Sequence, residues 1–77
     1  MAKRKVYHVT YHKADGWIVR LEKTDTIISS HKLKDEAVAM ASHIAKANEP
    51  SQVKIHRQDG TFERELTYGN DPFPPYG

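Results

Sequence analysis

Two stretches near the start of the chain alternate apolar and polar residues with the period of a half-buried strand. Tyr7, Val9 and Tyr11 alternate with His8, Thr10 and His12, and Trp17, Val19 and Leu21 alternate with Ile18, Arg20 and Glu22. Residues opposite each other in a ladder share a face, so the two odd-numbered sets must pair with each other. A two-residue Asp15-Gly16 turn would set Val9 against Glu22. A three-residue loop, Ala14-Asp15-Gly16 with Gly16 left-handed, instead sets Tyr11 against Val19, Val9 against Leu21 and His8 against Glu22. Burial selects the three-residue loop.

The last hairpin demands the opposite parity. Val53 and Ile55 are odd-numbered, whereas Phe62, Leu66 and Tyr68 are even. A two-residue type I′ turn at Asp59-Gly60 brings them to one face. Val53 then faces Leu66 and Ile55 faces Arg64, while Lys54 meets Glu65 and His56 meets Glu63 on the outer face.

Between the hairpins, Thr26 to Leu33 reads as a short third strand. Asp35 to Asn48 reads as a helix with Ala37, Ala41, Ile44 and Ala45 on one stripe. Asp35 and Glu36 suit its positive end and Lys46 its negative end. Lys34 is a poor capping residue, and Asn48-Glu49-Pro50-Ser51 stops the helix. The expected fold is a small single α+β domain of order β-β-β-α-β-β. It has an antiparallel sheet, one helix packed on one face and a Pro-rich C-terminal tail. The alanine stripe should let the helix lie close to Trp17, Tyr7, Tyr11 and Phe62. Residues 1–5 read as a flexible basic arm, 6–68 as the domain, and 69–77 as an extended tail packed on it or trailing from it.

Seventy-seven residues allow one thin core and no deep enclosed active site. With no cysteine there is no disulfide, thiolate nucleophile or cysteine metal site. No apolar run follows the basic start and none approaches a transmembrane length, so a cytoplasmic location without membrane contact is expected. The formal charge is +2, but it is unevenly spread. Residues 1–34 carry eight Lys/Arg against Asp15, Glu22 and Asp25, a balance of +5; residues 35–77 carry four against seven carboxylates, a balance of −3.

Several segments together resemble a family of small bacterial proteins known only as a domain of unknown function. They are Tyr7-His8-Val9, Asp15-Gly16-Trp17 with Val19, Asp35-Glu36-Ala37, Ile55-His56 with Asp59-Gly60, and Tyr68-Gly69-Asn70-Asp71-Pro72-Phe73-Pro74-Pro75. The resemblance covers roughly residues 6–76, and the tail is its most specific part. Members usually carry Ser or Thr at the helix start, where this chain has Lys34. The resemblance implies a fold-sized unit in a bacterial or phage setting, and it carries no activity or site.

The residue patterns argue against catalysis. His8 and His12 on one strand lie about 13 Å apart, too far for one metal ion. Glu63 and Glu65 are about 6.6 Å apart along a strand, but Lys54 and His56 opposite them account for both as surface pairs. Ser30 and His31 are adjacent in a strand and point to opposite faces, so they form no nucleophile–base pair. The four glycines form no phosphate loop. No enzyme activity, cofactor, metal or small-molecule substrate is expected.

A binding module remains. Nucleic acid, DNA first, is the leading partner, met by the arm Lys3, Arg4 and Lys5 with Lys13, Arg20, Lys23, Lys32 and Lys34 around the first three strands. The open sheet face is expected to be polar and free of aromatic residues, which disfavours base stacking. The alternative is another protein, or a second copy in a dimer, bound through an edge strand or the open face.

Overall fold

The computed structural model describes residues 4–69. The arm residue Lys3 and the expected tail beyond Gly69 lie outside them. Five strands and one helix follow in the expected order: β1 (Lys5–His12), β2 (Gly16–Leu21), β3 (Thr26–His31), α1 (Lys34–Ala47), β4 (Ser51–His56) and β5 (Phe62–Tyr68). All five strands form one sheet in the order β3-β2-β1-β4-β5.

The sheet is mixed rather than wholly antiparallel. β1 and β4 lie side by side in parallel, with Tyr7 opposite Val53 and Val9 opposite Ile55. Parallel strands need a crossover, and α1 supplies it by carrying the chain from β3 across one face to the middle of the sheet. Two hairpins are thereby joined through their inner strands.

The first hairpin keeps the expected parity with a register shifted by two residues. Tyr11 faces Trp17, Val9 faces Val19 and Tyr7 faces Leu21. The three loop residues are Lys13, Ala14 and Asp15, and Gly16, at φ 84°, opens β2. The slide pairs both aromatics, whose ring centroids lie 5.2 Å apart, and sets His8 opposite Arg20 rather than Glu22.

In the second hairpin Val53 faces Leu66, Lys54 faces Glu65 and Ile55 faces Arg64, as expected. The turn is wider than the two-residue form. The Gly60 N–H donates to the Arg57 carbonyl and the Arg57 N–H to Thr61, leaving Gln58, Asp59 and Gly60 as the loop. The extra residue is absorbed by a bulge between Ile55 and His56, so His56 faces Phe62 instead of Glu63. Phe62 therefore leaves the helix side, is 51% exposed, and meets the His56 ring edge-on.

The core lies between α1 and the sheet. Val9, Val19, Val53 and Ile55 are fully buried under Ala37, Ala41 and Ala45, with Tyr7 and Trp17 at its margins. Burial of each such aliphatic side chain contributes roughly 1.5–3 kcal/mol. The helix starts at Lys34 after Leu33, which gives no side-chain cap. Its end is well satisfied: Ser51 Oγ donates to the Ala45 carbonyl at 2.6 Å and Asn48 Nδ2 to the Ile44 carbonyl at 2.8 Å. Ile18, which the alternation places on the face away from the helix, is only 1% exposed; Thr10 and Ser30 flank it on the neighbouring strands. Among the described residues no helix is long and apolar enough to cross a membrane.

Candidate nucleic-acid interface

The sheet separates the sequence-predicted cations into two groups. Arg4 and Lys5 stand where β1 begins, and Lys23 lies in the turn after β2. The Glu22 N–H donates to the Val6 carbonyl at 2.9 Å, closing this end of the β1–β2 pair. A shallow cleft results, lined by Arg4, Lys5, Val6, Leu21, Glu22 and Lys23. Lys13, Lys32 and Lys34 belong to the opposite end, near His12, Gly16 and His31. The eight residues of β1 separate the two ends by about 23 Å.

Two of the predicted cations are already engaged. Arg20 Nη1 donates to Asp25 Oδ1 at 2.6 Å on the open face. Lys34 pairs with Glu63 and lies 5.5 Å from the centre of the Trp17 ring. This pair corrects the expected outer-face position of Glu63, which the bulge turns towards the helix. Glu65 stays outside, accepting from Gln52 Nε2 at 2.9 Å.

In the cleft, Arg4 Nη1 is buried and has no hydrogen-bond acceptor among the described residues. A guanidinium N–H withdrawn from water without an acceptor is costly, and an oxyanion would satisfy it. Among the described residues Lys5 Nζ makes only a long, exposed contact with Asn48 Oδ1, 3.3 Å. Glu22, the one carboxylate there, is held from the other side by His8 Nε2 at 2.7 Å. That hydrogen bond is the main reason its carboxyl titrates below the ordinary glutamate value.

The histidine partner of His8 was missed in sequence. His8 Nδ1 and His56 Nε2 are 3.0 Å apart with stacked rings, because β1 and β4 are neighbours. The expected His56–Glu63 contact is replaced by this one. Burial, then the neighbouring His8 and Arg20, lowers the His56 pKa, and a hydrogen bond to Gly60 opposes the shift only in part. Among the described residues no three His, Asp or Glu groups converge to hold a metal. Nearer β3, His12, Ile18, Arg20, Asp25 and Ile27 line a second hollow on the open face.

These features describe a small α+β domain with a helix-covered sheet face, an open face and a basic cleft at one sheet end. The chain belongs to a family described as an uncharacterised protein conserved in bacteria (DUF2188), whose profile matches residues 7–68. The match spans all five strands and the helix except the first two residues of β1, and ends before the tail. Comparison with curated proteins and with solved structures gives no match.

Proposed function

We propose that this domain acts by binding rather than catalysis, and that it grips the phosphate backbone of nucleic acid, duplex DNA first, in the cytoplasm. Arg4 carries the reading. Its guanidinium, whose buried Nη1 has no acceptor among the described residues, lines a cleft with Lys5 and Lys23, and phosphate oxygens are the acceptors such a cluster favours. The binding element is thus the Arg4, Lys5 and Lys23 end, with Lys3 preceding it in the chain. Lys13 and Lys32 at the far end are secondary contacts. Arg20 and Lys34 are internal ion-pair partners rather than phosphate ligands.

The other chemistries have local explanations that support binding over catalysis. Ser30 pairs with Ile18 and His31 with Trp17, so these neighbours lie on opposite faces of the sheet. Glu63 and Glu65 are likewise divided between Lys34 and Gln52.

Fluorescence anisotropy with a short duplex across a salt series tests the proposal. Affinity should fall with salt with a logarithmic slope of about −3 for three phosphate contacts. Arg4→Ala should bring that slope closer to zero by about one, whereas Lys34→Ala should leave it unchanged. No binding at low salt, or equal loss in both variants, rejects this interface.

A further inference from the structure

We propose that β3 is a self-pairing edge, through which two copies of this chain join antiparallel to form one continuous ten-stranded sheet. Among the described residues the sheet has two edge strands, β3 and β5. β5 is blunted by Glu63, Arg64 and Glu65. β3, reading Thr26-Ile27-Ile28-Ser29-Ser30-His31, holds no Asp, Glu, Lys, Arg or Pro. Its two isoleucines stand in the open, Ile27 55% and Ile28 40% exposed. Edge strands that remain single usually carry charge or proline against such pairing.

The register follows from the faces. Ile27 pairs with Arg20 and Ser30 with Ile18, so both face the open side. Thr26 pairs with Leu21 and His31 with Trp17, so both face the helix side. Directly opposed residues of an antiparallel pair must share a face. A two-fold axis between Ile28 and Ser29 meets this condition at the outer pairs, setting Thr26 against His31 and Ile27 against Ser30 of the second copy. In a regular strand that register would mix the faces; the irregularity opposite Val19 and Arg20 makes it consistent. Continued one residue past each end of β3, the same register brings Asp25 of each copy, which also pairs with Arg20 of its own chain, near Lys32 of the other, so the segment is complementary to itself in face and in charge. That self-complementarity selects a second copy as the occupant. A six-residue strand pair is a small interface, below about 1,000 Å², so the dimer is weak and concentration-dependent.

Sedimentation equilibrium of the full chain tests this, with circular dichroism confirming that each variant is folded. The mean mass should rise from 8.8 kDa towards twice that value as concentration approaches about 1 mM. Ile27→Lys should weaken association at least about tenfold, equivalent to about 1.4 kcal/mol. Lys32→Glu should also weaken it, and the double variant Asp25→Lys/Lys32→Glu should restore it. Thr67→Lys, on the other edge, should have no effect. A monomer throughout the range overturns the proposal, as does association that survives Ile27→Lys or is abolished by Thr67→Lys.

Discussion

His8 and His56, forty-eight residues apart, bring their ring nitrogens Nδ1 and Nε2 to 3.0 Å on the open face. They come from the parallel strands β1 and β4, and their ring centroids are 5.3 Å apart. Glu22 can only accept, so His8 donates to it through Nε2–H, and the Nδ1 of a neutral His8 is then an acceptor facing His56 Nε2. The histidine pair therefore connects the second hairpin to the carboxylate in the basic cleft.

This arrangement sets a direction for acid sensitivity. The His56 pKa is lowered in the fold by burial first, with His8, Arg20 and Lys54 adding repulsion. The unfolded chain thus takes up the proton more readily, and stability should decline as pH falls below the ordinary histidine value of 6.5. Glu22, Asp59 and Glu63 are also lowered. As carboxylates, they add stability that is present above their ordinary values and lost at lower pH. Thermal melts of wild type should fall first between about pH 6.5 and 5, then more steeply below about 4.5. His56→Gln should flatten the first step alone. An unchanged first step in that variant would remove His56 as its cause.

The sequence made local pairing legible and long-range pairing opaque. Alternation placed Tyr7, Val9, Val19 and Val53 on the helix side, and Gly16 was recognisable as left-handed. Nothing local distinguishes Tyr11 opposite Val19 from Tyr11 opposite Trp17, since both registers keep the same face. The bulge at His56 was also hidden, because it depends on the wider turn, and it moved Phe62 and Glu63 to unexpected sides. The β1–β4 contact depends on the helix crossover, so the His8–His56 pair could not be read from periodicity. The cations were found by type, but their division between two ends required the strand order.

Gly16 should be among the least replaceable positions in the chain. It has φ 84°, and an added Cβ would approach the His31 carbonyl oxygen to 2.5 Å. Gly16→Ala combines left-handed strain with a backbone clash and should cost at least about 2 kcal/mol. Gly60 has a similar φ of 93° but open space around it. Gly60→Ala should cost only the conformational part, about 1–2 kcal/mol. Urea unfolding of both variants checks the order; equal losses would show that contact with β3 does not matter.

Ser51 is fully buried, and its hydroxyl is spent on the Ala45 carbonyl near the helix end. That carbonyl also accepts the Asn48 N–H at 3.1 Å, so it keeps one partner when the hydroxyl is removed. Ser51→Ala should therefore cost only about 1 kcal/mol. Ser51→Val restores apolar volume but adds bulk at a closed site, and should be no more stable than Ser51→Ala. Chemical denaturation resolves the difference, and a stabilised Ser51→Val would show that space remains there.

Ala41 lies midway along the stripe Ala37-Ala41-Ala45, and all three are fully buried against the sheet. The helix rests close to the strands because these side chains stop at Cβ. Leucine has slightly weaker helix propensity than alanine, a difference of a few tenths of a kcal/mol, so a larger loss must come from packing. Ala41→Leu has to displace core side chains of the sheet or the helix itself, and should cost about 1–3 kcal/mol or more. Ala39→Leu, two positions away on the exposed side of α1, should change stability by less than about 0.5 kcal/mol. Comparable losses in the two variants would mean that close helix–sheet approach is not what the alanines provide.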